Sequence, residues 1–174
     1  VYSLYVQDEI ELSDKLTAVI GARYDSFDIE ATDNEDGDVG SRKDTELTPR
    51  GGIIYKPEED ISIYASYSQT FLPTSGGQFA SLGAKDLDPS EYTSVEAGVK
   101  WNVADGFNVT AAIFKVDSDV VEKNAAKDYE RFENEIDGFE AQLTRRISDQ
   151  WTVSAGYTYL DGIDKGNESR NKGN

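Results

Sequence analysis

The sequence predicts an all-β chain of about eight antiparallel strands in up-and-down order, of the kind that closes into a transmembrane barrel. Three observations carry this. Hydrophobicity alternates with a period of two through most of the chain. The connections between alternating segments are short and long by turns. Several segments reach the roughly 9–11 residues that a strand needs to cross a bilayer.

The alternation is clearest from Trp151, where Trp151, Val153, Ala155, Tyr157 and Tyr159 interleave with Thr152, Ser154, Gly156 and Thr158. From Val95, one face reads Val95, Ala97, Val99, Trp101, Val103 and the other Glu96, Gly98, Lys100, Asn102. Ile61, Ile63, Ala65 and Tyr67 alternate with Ser62, Tyr64, Ser66 and Ser68. Successive strand side chains point to opposite faces, so each segment has one apolar and one polar side. Leu16 to Tyr24 and Phe107 to Ile113 read the same way. The pattern weakens in Phe139 to Leu143 and in Leu4 to Ile10, where charged residues intrude. Gly-rich Leu47 to Tyr55 is the least regular. The predicted strands are roughly 2–12, 15–29, 46–56, 61–72, 92–103, 106–120, 136–147 and 151–162.

Ser13-Asp14, Pro57 to Asp60, Ala104 to Gly106 and Ser148 to Gln150 are turn-forming clusters that link neighbouring strands tightly. Long polar loops are expected near 30–45, 73–91 and 121–135. Short turns on one rim and long loops on the other is the build of an outer-membrane barrel. Tyr24, Tyr67, Trp101, Trp151, Tyr157 and Tyr159 stand near the ends of apolar faces, where aromatic girdles meet membrane interfaces. Periodicity by itself serves a soluble β-sandwich or barrel equally well, because one apolar face fits a protein core as readily as lipid.

Composition narrows the functions. The chain has 174 residues, no Cys and no His. Disulfides, thiolate metal sites and the common nucleophile–base systems are therefore excluded, and no enzyme activity is expected. No resident cofactor is expected either. A net charge of −17 opposes nucleic-acid binding. An aromatic content of 11% opposes disorder. No apolar run approaches the length of a membrane-spanning helix, but barrel strands average out as hydrophilic. With no Met, the chain does not begin at a natural start codon, and an upstream segment is expected to have been processed off or left out. The acidic run Asp33 to Asp38 suggests a Ca²⁺ site, yet lacks EF-hand spacing and reads as a solvated loop, so no metal site is assigned.

Particular words then narrow the family. Tyr5-Val6-Gln7-Asp8-Glu9 with Gly21-Ala22-Arg23-Tyr24-Asp25 comes first, followed by Thr48-Pro49-Arg50-Gly51-Gly52 and Tyr64-Ala65-Ser66-Tyr67-Ser68-Gln69-Thr70-Phe71. Leu87-Asp88-Pro89-Ser90-Glu91 then leads to Glu96-Ala97-Gly98-Val99-Lys100-Trp101. Asp137-Gly138-Phe139-Glu140 and Ala155-Gly156-Tyr157-Thr158-Tyr159-Leu160-Asp161 close the series. Each is weak alone. In this order, across nearly the whole chain, they resemble the middle-to-late barrel strands of TonB-dependent siderophore receptors.

The resemblance implies one barrel segment over 1–174, part of a larger barrel in the bacterial outer membrane. It implies import of ferric siderophores, with energy from the TonB complex reaching the barrel through a plug. Neither plug nor TonB box is seen in this sequence, and Asn134-Glu135-Ile136-Asp137 lacks the basic and Ser residues usual in the family. The resemblance also implies a ligand held by aromatic and Arg side chains near the loops, making Phe71, Phe79, Tyr129, Arg131 and Phe132 the candidates. Packing or girdle roles would explain the same residues. Arg23, Arg50, Lys100 and Glu96 fall on the polar face and are expected to form charge networks there. A stand-alone small outer-membrane barrel of structural or adhesive role, and a soluble β-rich binding module, are the alternatives.

Overall fold

The structure, a computed structural model, describes residues 1–32, 39–73, 88–123 and 129–165. Eight strands follow one another: β1 (Tyr2–Ser13), β2 (Leu16–Thr32), β3 (Val39–Glu58), β4 (Ile61–Leu72), β5 (Ser90–Ala104), β6 (Phe107–Lys123), β7 (Tyr129–Ser148) and β8 (Trp151–Asp164). Each pairs antiparallel with the next in one sheet, in sequence order. β1 and β8 are its two edges.

Four tight turns join β1 to β2, β3 to β4, β5 to β6 and β7 to β8. A register shift accompanies each, at Glu11/Ser13, Tyr55/Glu58, Asn102/Ala104 and Arg146/Ser148. An extra residue next to the turn lets the strands keep their twist through a short reversal. In the β5–β6 turn Gly106 adopts φ +70°, a conformation that a side chain disfavours. Ser13 and Ser148 accept hydrogen bonds from the amides of Lys15 and Gln150, fixing two of the other turns.

At the opposite end the strands run further than sequence patterning suggests. Residues 39–45 and 129–135, expected in loops, belong to β3 and β7, and β6 continues to Lys123. Charge made these stretches look like loops. Their backbone polar groups are instead satisfied by an unbroken ladder, with Thr32 to Asp28 facing Val39 to Lys43 and Val120 to Lys123 facing Phe132 to Tyr129. Of the expected loops, 33–38, 74–87 and 124–128 lie outside the described residues.

Cross-strand register aligns the apolar faces into one continuous surface. A single row runs through Ala18, Ile53, Ala65, Ala97, Ile113, Phe139 and Tyr159. Large apolar side chains on this surface are open to solvent, including Ile113 at 61% and Tyr157 at 63% exposure. Among the described residues the buried hydrophobic ones are only Ala112, Val120 and Val121. The sheet is therefore inside-out: its oil is on the surface and it has almost no core. Asp8 interrupts the apolar face on β1, opposite Ile20.

The apolar surface ends sharply toward the long-loop end. Ile113 is followed on its face by Lys115, Phe139 by Asp137, and Tyr159 by Asp161. Above this line Lys115 and Lys165 both engage Glu135, Lys115 at 2.8 Å, and Lys165 approaches Asp117 at 3.7 Å. Hydrogen bonds from the two ammonium groups hold the Glu135 carboxyl down at about 2.

One seam in the sheet is incomplete. β3 pairs with β4 only from Glu58↔Ile61 to Arg50↔Ser68, while β3 continues along β2 and β4 along β5. The break falls at Pro49, which has no N–H to donate to a neighbour. Beyond it the two strands fork.

Candidate functional site

Two regions carry the polar chemistry. The first is the polar face. Tyr64 donates a 2.6 Å hydrogen bond to Glu96 on the adjacent strand, and the Lys100 ammonium lies 5.4 Å from the centre of the Tyr64 ring. The ring can lie flat because its cross-strand partner is Gly98, where a Cβ would meet the Tyr64 hydroxyl at 2.7 Å. Phe114 covers Gly138 in the same manner on β6 and β7. Beside Tyr64, Gly52, Ser66 and Ser68 leave a recess of about 450 Å³ edged by Arg50, Lys56 and Lys100. No carboxylate lines it, although acidic residues outnumber basic ones 34 to 17 in the chain. Arg23 forms a second network, donating to both oxygens of Asp25 and to Ser3. Of the residues expected in charge networks, Arg23 forms one with Asp25, Lys100 and Glu96 meet through Tyr64, and Arg50 edges the recess.

The second region is the long-loop end. Phe71 sits near the end of β4 with its ring edge-on to Phe27 of β2, centroids 5.5 Å apart, so the pair spans the fork. Arg131 on β7 binds Asp119 at 2.5 Å and donates to the carbonyls of Asp88 and Pro89 at 2.9 and 3.1 Å. Its guanidinium staples the start of β5 to β6 and β7. Phe132 is half-buried opposite Val120. Tyr129 opens β7 opposite Lys123, with its side chain outside the described residues, as Phe79 is entirely. The structure therefore brings Phe71, Tyr129, Arg131 and Phe132 to one end of the sheet, but on β4 and β7 rather than side by side. Sequence reasoning missed Phe27, and it missed the carboxylates Asp44, Glu46 and Glu91 near the fork. Pro49 inside a strand was the available signal.

A sheet whose large apolar residues face outward, with only three buried hydrophobic side chains among the described residues, is not stable in water by itself. It needs lipid on one face, which sets aside the soluble module. A family model described as "TonB dependent receptor-like, beta-barrel" matches residues 1–174. The chain belongs to that family.

A probable TonB-dependent siderophore receptor, PiuA of Acinetobacter baumannii, is 34% identical over 173 residues, covering 91% of this chain and 23% of the relative. The metal-pseudopaline receptor CntO of Pseudomonas aeruginosa is 29% identical over 170 residues, covering 91% and 24%. The crystal structure of PiuA superimposes with a TM-score of 0.80 at 33% identity, covering 92% of this chain and 25% of that one. The unliganded ferric citrate transporter FecA reaches 0.83 at 14% identity, covering 94% and 26%, a likeness of fold alone. The chain spans about a quarter of the length of these relatives. As a section of a TonB-dependent receptor barrel it lies in the bacterial outer membrane. The apolar face meets lipid, the polar face lines the lumen, the tight turns are periplasmic and the long-loop end is extracellular.

Proposed function

We propose that this chain is part of the wall of a receptor that imports a ferric siderophore, driven by the TonB complex through a plug seated against the polar face. The carrying observation is the 34% identity to a siderophore receptor, which runs through the strands that form the apolar surface. The polar face suits a plug because its recess offers Arg50, Lys56 and Lys100. Ligand contacts are assigned to Phe71, Tyr129 and Phe132 at the extracellular end, and to Phe79 from its nearness to Phe71 in sequence, aromatic side chains suited to a large chelate. Arg131 joins them as a positioning residue, because its guanidinium is already committed to the wall. The function is transport, and no catalytic step or resident cofactor is assigned.

The test is uptake of radiolabelled iron by iron-starved cells with and without the full-length gene, in backgrounds with and without TonB. Loss of TonB-dependent uptake of at least one ferric siderophore on deletion is the expected result. Unchanged uptake across ferric catecholates, hydroxamates and mixed peptide chelates would refute the proposal.

A further inference from the structure

Beyond Arg50 and Ser68, where β3 and β4 part, a cavity of about 490 Å³ opens between β3 and the start of β5, with Arg131 of β7 at its edge. Its charged lining includes Arg42, Asp44 and Glu46 from β3, Asp88 and Glu91 at the start of β5, and Arg131 from β7. Two of the cations are matched. Arg42 Nε donates to Asp44 Oδ1 at 2.5 Å, and Arg131 is held by Asp119 and two carbonyls. Lys43 also reaches the cavity, from the opposite face of β3 to Asp44.

The anions are in excess. Asp44 is 4% exposed, and its Oδ2 has no hydrogen-bond partner among the described residues. Burial, then the facing charges of Glu91 and Asp88, hold the Glu46 carboxyl above its usual range. Glu91 accepts one long hydrogen bond, 3.5 Å from Gln69. A buried carboxylate oxygen without a donor is costly, and so are like charges that face one another across a cavity. A positively charged group in the cavity relieves the repulsion directly, and its field offsets the buried charge of Asp44. Among the described residues no group of three or more acidic side chains is placed to hold a metal ion. The carboxylates instead border a space the size of a ligand fragment.

We propose that this cavity is a binding pocket for an organic cation, a primary ammonium or guanidinium carried by a ferric chelate arriving from outside. This rests on the siderophore reading and adds a selectivity to it: chelates with a cationic appendage are preferred over their neutral counterparts. Pro49 ends the β3–β4 ladder just below these residues.

The full-length protein in detergent is titrated with a linear ferric trihydroxamate ending in a free primary ammonium, and with the same complex N-acetylated. The ammonium form is expected to bind roughly tenfold tighter or more, the scale of a charge-assisted hydrogen bond. In Glu46→Gln/Glu91→Gln its affinity falls to that of the acetylated form. The single variant Glu46→Gln, shown folded by heat-dependent migration, gives an intermediate ratio should the double variant fail to assemble. Equal affinities in the wild type, a ratio unchanged in the variants, or binding confined to chelates without a cationic group would each overturn the pocket. If the wild type binds no ferric catecholate, hydroxamate or mixed peptide chelate, the siderophore reading itself has failed.

Discussion

Glu135 shows how one residue at the edge of the membrane belt acts on the whole rim. It is the shared acceptor for Lys115 and Lys165, and it ties β6 and β7 to the end of β8. Its folded value of about 2 lies below the ordinary 4.5, so it stabilises the folded state fully above about pH 4.5. That contribution is lost as the pH falls from there toward 2. Glu135→Gln in the full-length protein should lower the urea unfolding midpoint at pH 6, and the gap from wild type should shrink to a small remainder by pH 2. An undiminished gap at pH 2 would show that Glu135 acts through packing rather than charge. Nothing in the sequence pattern singles Glu135 out. Its partners are Lys115, twenty residues upstream, and Lys165, thirty downstream, and only the register brings them together.

Strands were legible where lipid or lumen imposes a strict alternation. The apolar face of Val95, Ala97, Val99 and Trp101 could be read directly, because a one-residue slip would expose the wrong side. Legibility failed where both faces are wet, as in Arg42 to Thr45. There charge resembles loop, although pairing with β2 makes it strand. The same blindness hid the fork, since Asp88 and Glu91 meet Asp44 and Glu46 only through the order of strands. By contrast, Phe71 and Arg131 could be read as loop-end residues, though the commitment of Arg131 to Asp119 could not. Between strands, the Phe114 ring over Gly138 is a packing device with a clear test. A Cβ at 138 would overlap that ring, so Gly138→Ala should cost about 1–3 kcal/mol by overpacking. Adding Phe114→Ala should recover part of the loss, and a double-mutant cycle on the unfolding midpoint measures the coupling. Strict additivity would mean that the cost of Gly138→Ala does not come from the ring.

For the molecule as a whole, the decisive property is which face meets lipid. Ala97 lies in the middle of the apolar surface, and Gln142 lies on the polar face. Ala97→Arg should destabilise the protein in lipid vesicles by about 2–4 kcal/mol, the cost of a cation near the bilayer midplane. Gln142→Arg should stay within about 1 kcal/mol, as a change on a solvated face. Tryptophan fluorescence during denaturant unfolding measures both. A larger cost at Gln142 than at Ala97 would reverse the assignment of faces.

The row from Ala18 to Tyr159 has a geometric consequence. It begins six residues below Tyr24, the upper limit of the apolar stretch on β2, and reaches the upper limit of that stretch on β8. The limit comes down to the row by Ile113 on β6 and stays with it through Phe139 and Tyr159, so over the six strand-to-strand steps it descends one residue per strand on average. With about 3.3 Å per residue and about 4.8 Å between strands, the strands lean about 35° from the membrane normal. At that inclination the nine residues from Leu16 to Tyr24 rise about 24 Å, close to the roughly 25 Å height of an outer-membrane hydrophobic band. The thickness of the bilayer is thus written into the pairing of the strands.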